Sequence, residues 1–290
     1  MPQLNEISAP PDLTYLASFL TFRCRFKCSY CINHFKSLAR RKELTASDWI
    51  EGLNRLVIPR EMMVPITLQG GEPSSHREFY KIIRGLKKEF YIDLLTNLDF
   101  NIDEFMDQIP PDRLKRDVPY ASIRVSYHPE FSELDTLLKK IEKMLSRGYS
   151  IGLFAVDTPA NNIPEVRQKA VEHGIDFRTK EFLGFKDNRL YGEYLYPEAV
   201  SGLAFREVMC KNTEILIAPD GYIHKCHRDL YHGEYPVANL LDENLNIAFK
   251  DRSCGRFGEC NPCDIKVKNN RFQEFGHCSV QIKSLETQLI

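Results

Sequence analysis

Cys24-Arg25-Phe26-Lys27-Cys28-Ser29-Tyr30-Cys31 is the stretch on which the reading of this chain turns. The spacing C-x3-C-x2-C gathers three thiols into one short loop, which can wrap a single small inorganic group. Three thiolates suit a four-iron cube with one iron left open. A substrate or cofactor can coordinate there while the protein holds the other corners. Two plainer readings stand beside this one. With His34, the three cysteines would suit zinc; as separate buried thiols, they would be small hydrophobes.

Outward from that loop the chain alternates between two periods. Short, mixed apolar and often β-branched runs at 14–22, 64–68, 91–96, 121–127, 150–156 and 175–182 read as buried parallel strands. Between them, 45–56, 77–89, 102–108, 133–147 and 164–173 read as helices. Thr45 with Asp48 forms a capping pair, and Gly148 follows the helix that ends at Arg147. From the second strand onward the interval is about 25 to 30 residues, the length of one βα unit. The fold class is therefore α/β, with a partial (β/α)6 barrel of parallel strands.

Parallel βα units place their strand C-termini on one face, where functional loops converge. The cysteine loop follows the first strand, and Thr67-Leu68-Gln69-Gly70-Gly71-Glu72-Pro73 ends the second. A Gly-Gly pair lets backbone approach a ligand, and the Glu offers a carboxylate to an ammonium group. Taken alone, an ordinary strand-to-helix turn with a solvated Glu is the commoner explanation of the run; its place one unit after the cysteines reverses that. The other strand ends offer Thr96-Asn97, Ser126-Tyr127-His128, Asp157, and Arg178 with Lys180.

The cysteine run, with the aromatic Tyr30 just before Cys31, resembles the signature of the radical S-adenosylmethionine (SAM) enzymes, and Gly70-Gly71-Glu72 resembles their GGE motif. The resemblance implies a [4Fe-4S] cluster on Cys24, Cys28 and Cys31 whose open iron chelates the amino and carboxylate groups of SAM. It also implies an external one-electron reductant such as flavodoxin or ferredoxin, and cleavage of SAM to a 5'-deoxyadenosyl radical. Gly70, Gly71 and Glu72 would hold the methionyl amino group, and Tyr30 would pack near the adenine. Ser126 and Arg178 match loosely the positions that bind the SAM carboxylate and ribose.

Past the sixth unit, 183–207 is rich in Tyr and Gly without clear periodicity and reads as a linker that helps line a substrate cleft. Six cysteines follow, at 210, 226, 254, 260, 263 and 278, and Glu214 to Cys226 reads as a β-hairpin turning at Asp220-Gly221. Cys210-x10-Gly221-x4-Cys226 with Cys260-x2-Cys263 resembles the shortened "twitch" form of the SPASM extension of some radical SAM enzymes. That implies one auxiliary [4Fe-4S] cluster on Cys210, Cys226, Cys260 and Cys263, with Cys254 and Cys278 spare. Cys260, Cys263 and Cys278 also resemble the C-x2-C-x13-C pattern of the molybdenum-cofactor cyclases, with one residue more in the last gap. A structural zinc knuckle is the other reading of this segment. The division expected is a core at 1–205 and a small cysteine-rich extension at 206–290.

Composition bounds the rest. The 290 residues carry 39 basic and 40 acidic side chains, a formal net charge of −1, which advertises neither a nucleic-acid nor a membrane partner. No apolar run reaches the roughly eighteen residues of a membrane span. The start lacks a signal peptide's pattern, and nine cysteines in CxxC-type clusters fit metal in a reducing compartment, so a cytoplasmic protein is expected. An auxiliary cluster can accept an electron from a substrate radical, allowing two-electron oxidation without flavin or nicotinamide. Only 23 residues precede Cys24, too few for the winged-helix leader-recognition domain of many peptide-modifying relatives. The expected substrate is therefore a small hydroxylated or nucleotide-like molecule, with peptide crosslinking or epimerisation as the alternative and a non-enzymatic iron–sulfur or zinc protein as the second.

Overall fold

Tyr15–Thr21 (β1) is buried along its whole length, because both faces of this strand are covered. Its side chains alternate: Leu16 and Leu20 join the large core under the helices, while Tyr15, Ala17 and Phe19 pack on the other face against Leu216, Leu230 and Tyr231. In the computed structural model, residues 5–32, 41–158, 161–202, 206–268 and 276–285 are described, and His34 lies outside them.

Each of the six strand-like runs carries a strand. After β1 come Ile66–Gly70 (β2), Ile92–Thr96 (β3), Ile123–Tyr127 (β4), Ile151–Asp157 (β5) and Phe177–Glu181 (β6). All pair in parallel and in sequential order. The helices between them are Ala46–Asn54 (α1), Phe79–Gly85 (α2), Ile102–Gln108 (α3), Leu134–Ser146 (α4) and Ile163–Glu172 (α5). Thr45 and Asp48 form the expected capping box, and Gly148 leaves α4 at φ +86°. Helix α2 stops short of 77–89 for a tertiary reason: the Arg113 guanidinium donates to the carbonyls of Ile83, Leu86, Lys87 and Phe90 at 3.2–3.3 Å, taking up acceptors that a further turn would have used.

The segment read as an unpatterned linker contains a short hairpin, Gly184–Lys186 with Arg189–Tyr191. Its turn residues Asp187 and Asn188 both have positive φ, as a two-residue turn joining such strands demands. Beyond it run Arg206–Asn212 (β7), Glu214–Ile217 (β8), Tyr222–His224 (β9), His227–His232 (α6), Ala238–Asn239 (β10), Arg252–Phe257 (β11), Pro262–Ile265 (α7) and Val280–Ser284 (β12). β8 and β9 form the hairpin turning at Asp220-Gly221, with Gly221 at φ +83°.

The hairpin does not stand apart from the barrel. β8 adds to β1 in parallel, Glu214 opposite Tyr15 through Ile217 opposite Ser18, so the sheet runs β10-β9-β8-β1-β2-β3-β4-β5-β6. This covers the β1 edge, which would otherwise be open to pairing with another chain. β7 sits at the centre of a separate antiparallel sheet, between β11 and β12. Among the described residues, no helix is long and apolar enough to cross a membrane.

Candidate active site

The cysteine loop leaves the C-terminal end of β1 and is stitched to its neighbours by backbone and side chains. Gly71 N donates to Thr21 O and Glu72 N to Arg23 O, each at 2.8 Å. Here the two glycines are required for close approach within the protein. A Cβ on Gly70 would meet Thr21 O at 2.1 Å, and one on Gly71 would meet Arg23 O at 2.4 Å. The loop is clamped on its far side by the turn after β4. Ser29 N and Oγ donate to Glu130 at 2.9 and 2.7 Å, Phe26 stacks on Phe131 at 5.2 Å, and Tyr30 Oη meets His128 Nδ1 at 2.7 Å.

Cys24, Cys28 and Cys31 share one cavity of about 300 Å³ with Gln69, Gly70 and Gly71 and with Asn97 and Ser126. Burial pushes the Cys28 thiol up to about 12, with Cys31, Glu130 and Cys24 adding to it, and raises Cys24 as well. A metal would reverse that, since a coordinated thiol is deprotonated. Asn97 Nδ2 lies 3.8 Å from Cys24 Sγ. Three thiols lining one cavity, with Gly70 and Gly71 beside them, fit a cluster held at three corners.

Glu72 stands behind that wall. Its carboxylate accepts from Ser74 N at 3.1 Å, Ser74 Oγ at 2.7 Å, Thr96 Oγ1 at 2.9 Å and Asn97 N at 2.7 Å, and burial raises its pKa. It thus ties the end of β2 to the end of β3, and it also sets the position of Asn97. Glu72→Gln leaves at least one buried polar atom unpaired, at a cost of about 1–3 kcal/mol. Thermal melting of the variant is expected several degrees below wild type. A variant of wild-type stability with weakened SAM binding would instead mean that the carboxylate's main partner is the SAM ammonium.

The remaining sequence candidates separate. Tyr30 faces a second cavity of about 290 Å³, next to the first and sharing Cys28, Cys31, Gln69 and His128 with it. Lys180 lines this second cavity. Arg178 does not reach either. Its guanidinium donates to Pro119 O and to Asp176, near the starts of β4 and β6 and away from the cysteine loop, because it occupies the second residue of its strand. Asp157, the last residue of β5, is exposed and lines neither cavity. Glu130, which orders the loop, carries no sequence signal at all.

His128 borders both cavities, and burial holds its imidazole down at about 4, with Glu130 opposing and Lys180 assisting. An unfolded histidine titrates near 6.5. Between these values the unfolded chain binds the proton and the folded one does not, so this stabilisation is present above about pH 6.5 and is lost as pH falls towards 4. Metal-free wild-type protein is expected to lose more thermal stability between pH 7 and 4.5 than His128→Gln. Equal losses in differential scanning fluorimetry would contradict the assignment.

The second cavity is closed from the opposite side by the extension: Glu214, His227, Tyr231, Cys263, Lys266 and Lys268. Among these, Lys268 pairs with Glu214, and His227 Nδ1 lies 2.8 Å from Asp264 Oδ1. A third cavity, inside the extension, is walled by Cys210, Cys226, Cys254 and Cys260. Burial pushes Cys210 up to about 12, with Cys254 the next contributor, and raises Cys226 and Cys260. The Nε–H of Arg228 is buried there and has no acceptor among the described residues, which fits an anionic group in this cavity.

Comparison with known proteins gives this arrangement a likeness: residues 18–116 match the Radical SAM superfamily. Among curated proteins it is similar to the GTP 3',8-cyclases of Rhizobium meliloti (strain 1021) and Sinorhizobium medicae (strain WSM419). Each is 24% identical over 187 residues, 57% of this chain and 50% of the relative. The chain thus spans about half the length of these curated relatives. Its fold is similar to the solved structure of histidine-tagged anSMEcpe with bound AdoMet, with a TM-score of 0.52 and 14% identity over 79% of this chain and 78% of that one. The family implies a [4Fe-4S] cluster and SAM.

Proposed function

We propose that this enzyme removes a hydrogen atom from a small hydroxylated or nucleotide-like substrate and completes its oxidation by passing an electron to an auxiliary [4Fe-4S] cluster in the C-terminal extension. The observation that carries the proposal is the second cavity. Cys28 and Cys31 stand on one side of it and Cys263 on the other, and Glu214 is common to it and to the thiol-lined cavity of the extension. A molecule held there lies between the two sulfur-rich sites.

A [4Fe-4S] cluster held by Cys24, Cys28 and Cys31 would supply the electron for reductive cleavage of SAM, and with it the radical chemistry that removes a hydrogen atom from the substrate. The chain's own residues do the rest. Cys24, Cys28 and Cys31 hold the cluster, with Gly70, Gly71, Asn97 and Ser126 bordering the place for SAM. Tyr30 and His128 fix the inner wall of the substrate cavity. Loss of one further electron and the hydroxyl proton gives the carbonyl, and His227, paired with Asp264, and Glu214, paired with Lys268, are among the titratable groups on that wall. Lys180, Lys266 and Lys268 outweigh the acidic lining, Glu181 and Glu214, which supports an anionic substrate such as a nucleotide.

The test is isotopic. Enzyme, SAM and a chemical reductant are incubated without oxygen with deuterated nucleotides and deuterated polyols in turn. Label is expected in 5'-deoxyadenosine, and an oxidised product two mass units lighter than the unlabelled substrate. Label transfer from a peptide, with none from any small hydroxylated molecule, would refute the substrate class.

A further inference from the structure

We infer that the fourth thiolate of the auxiliary cluster is Cys254, not Cys263, so that the cluster is held by Cys210, Cys226, Cys254 and Cys260. This rests on the auxiliary-cluster reading above and changes one of its ligands. Sequence spacing pairs Cys260 with Cys263, as in a CxxC knuckle, but the fold sends the two side chains to different cavities. Cys260 joins Cys210, Cys226 and Cys254 in the cavity inside the extension, whereas Cys263 lines the substrate cavity with Cys28 and Cys31.

Strand register explains why Cys254 arrives there. In the β7–β11 ladder Val208 lies opposite Cys254 and Cys210 opposite Arg252. Cys210 and Cys254 are therefore diagonal neighbours on one face of the antiparallel pair, within reach of one another. Along β11 the alternation is plain: Ser253 and Gly255 are exposed, while Arg252, Cys254 and Arg256 turn to the cavity. An exposed strand position would leave its thiol in water; this one lies between Arg252 and Arg256 on the cavity-facing side of β11, where positive charge favours an anionic cluster.

The other two ligands are held independently of Cys263. Cys226 caps the N-terminus of α6, with Asp229 N donating to its Sγ at 3.5 Å, and Cys260 N donates to Ala199 O at 2.9 Å. Of the buried polar atoms lining the same cavity that lack a hydrogen-bond partner among the described residues, two are N–H donors, Arg228 Nε and Asn212 Nδ2. Both point to a group that the polypeptide does not supply. Cys263 has a different role to play at its own site: its backbone N–H is taken by the Asn261 side chain at 2.9 Å, fixing it at the start of α7 on the substrate-cavity wall.

The experiment uses full-length protein carrying Cys24→Ala, Cys28→Ala and Cys31→Ala, so that only the extension can hold a cluster. After anaerobic reconstitution this background is expected to hold about four irons per chain, the content of one four-iron cube. Adding Cys254→Ala is expected to remove most of that iron and the low-temperature EPR signal of the reduced cluster. Adding Cys263→Ala is expected to leave both in place. Iron loss from the Cys263→Ala protein, equal to or greater than that from Cys254→Ala, overturns the assignment. A background that binds no iron refutes the auxiliary cluster itself and the ligand set with it.

A second measurement needs no substitution in the extension. The reconstituted background protein is alkylated under anaerobic conditions and its thiols mapped by mass spectrometry. Cys210, Cys226, Cys254 and Cys260 are expected to be protected and Cys263 labelled. Labelling of Cys254 with protection of Cys263 overturns the proposal.

Discussion

Cys28→Ala protein, reconstituted without oxygen, is expected to form no 5'-deoxyadenosine from SAM and to carry about four irons per chain where wild type carries about eight. The reason lies in the loop's geometry. Among the described residues its three thiols are the only cysteines on the wall of their cavity, and Cys28 is the most buried of them at 5% exposure, so no neighbouring thiol can take its place. Two thiolates cannot retain a cube, and an iron open to SAM is lost with it. The loop should survive the change, because Ser29–Glu130, Tyr30–His128 and Phe26–Phe131 hold it without metal. Unchanged circular dichroism with halved iron therefore separates a lost ligand from a lost fold. Zinc in place of iron after anaerobic isolation of wild type, or residual SAM cleavage by the variant, would break the argument.

The second large effect is a division of labour. Cys254→Ala with Cys260→Ala should still cleave SAM and still exchange hydrogen with the substrate, yet release no oxidised product. Cys260 lines the cavity of the extension, so its loss empties the auxiliary site whichever thiol is the fourth ligand. The cysteine loop is untouched, since its contacts run to β2 and to the turn after β4. Mass spectrometry of product, alongside chromatography of 5'-deoxyadenosine, reads the two halves separately. Normal product from the double variant would make the extension structural and turn the reaction towards a redox-neutral rearrangement or epimerisation.

Local chemistry was legible wherever the signal lies within one short stretch of chain. The six strands follow from apolar, β-branched runs at the spacing of a βα unit, and the capping box of α1 from Thr45 and Asp48. The cysteine loop and the Gly-Gly turn could be located at strand ends because a parallel sheet puts all such ends on one face. The β8–β9 hairpin was legible from Asp220-Gly221 for the same local reason, and Asp187-Asn188 carried a similar signal that the tyrosines and glycines around it obscured.

What the chain alone determined, then, is the order of parallel strands, the three-thiol loop on their C-terminal face and the presence of a cysteine-rich hairpin after them. Tertiary structure decided which groups meet. It sent Arg178 to the far end of the strands and saturated the Glu72 carboxylate with donors from Ser74 and from Thr96 and Asn97 at the end of β3. It brought Glu130 and His128 onto the loop and added β8 to the open edge of β1. It also turned Cys254 inward beside Cys210 while parting Cys263 from Cys260. The physical reason is range: periodicity, turns and ligand spacing act over a few residues, whereas side-chain pairing across a sheet depends on register between segments far apart in sequence, which no local pattern encodes.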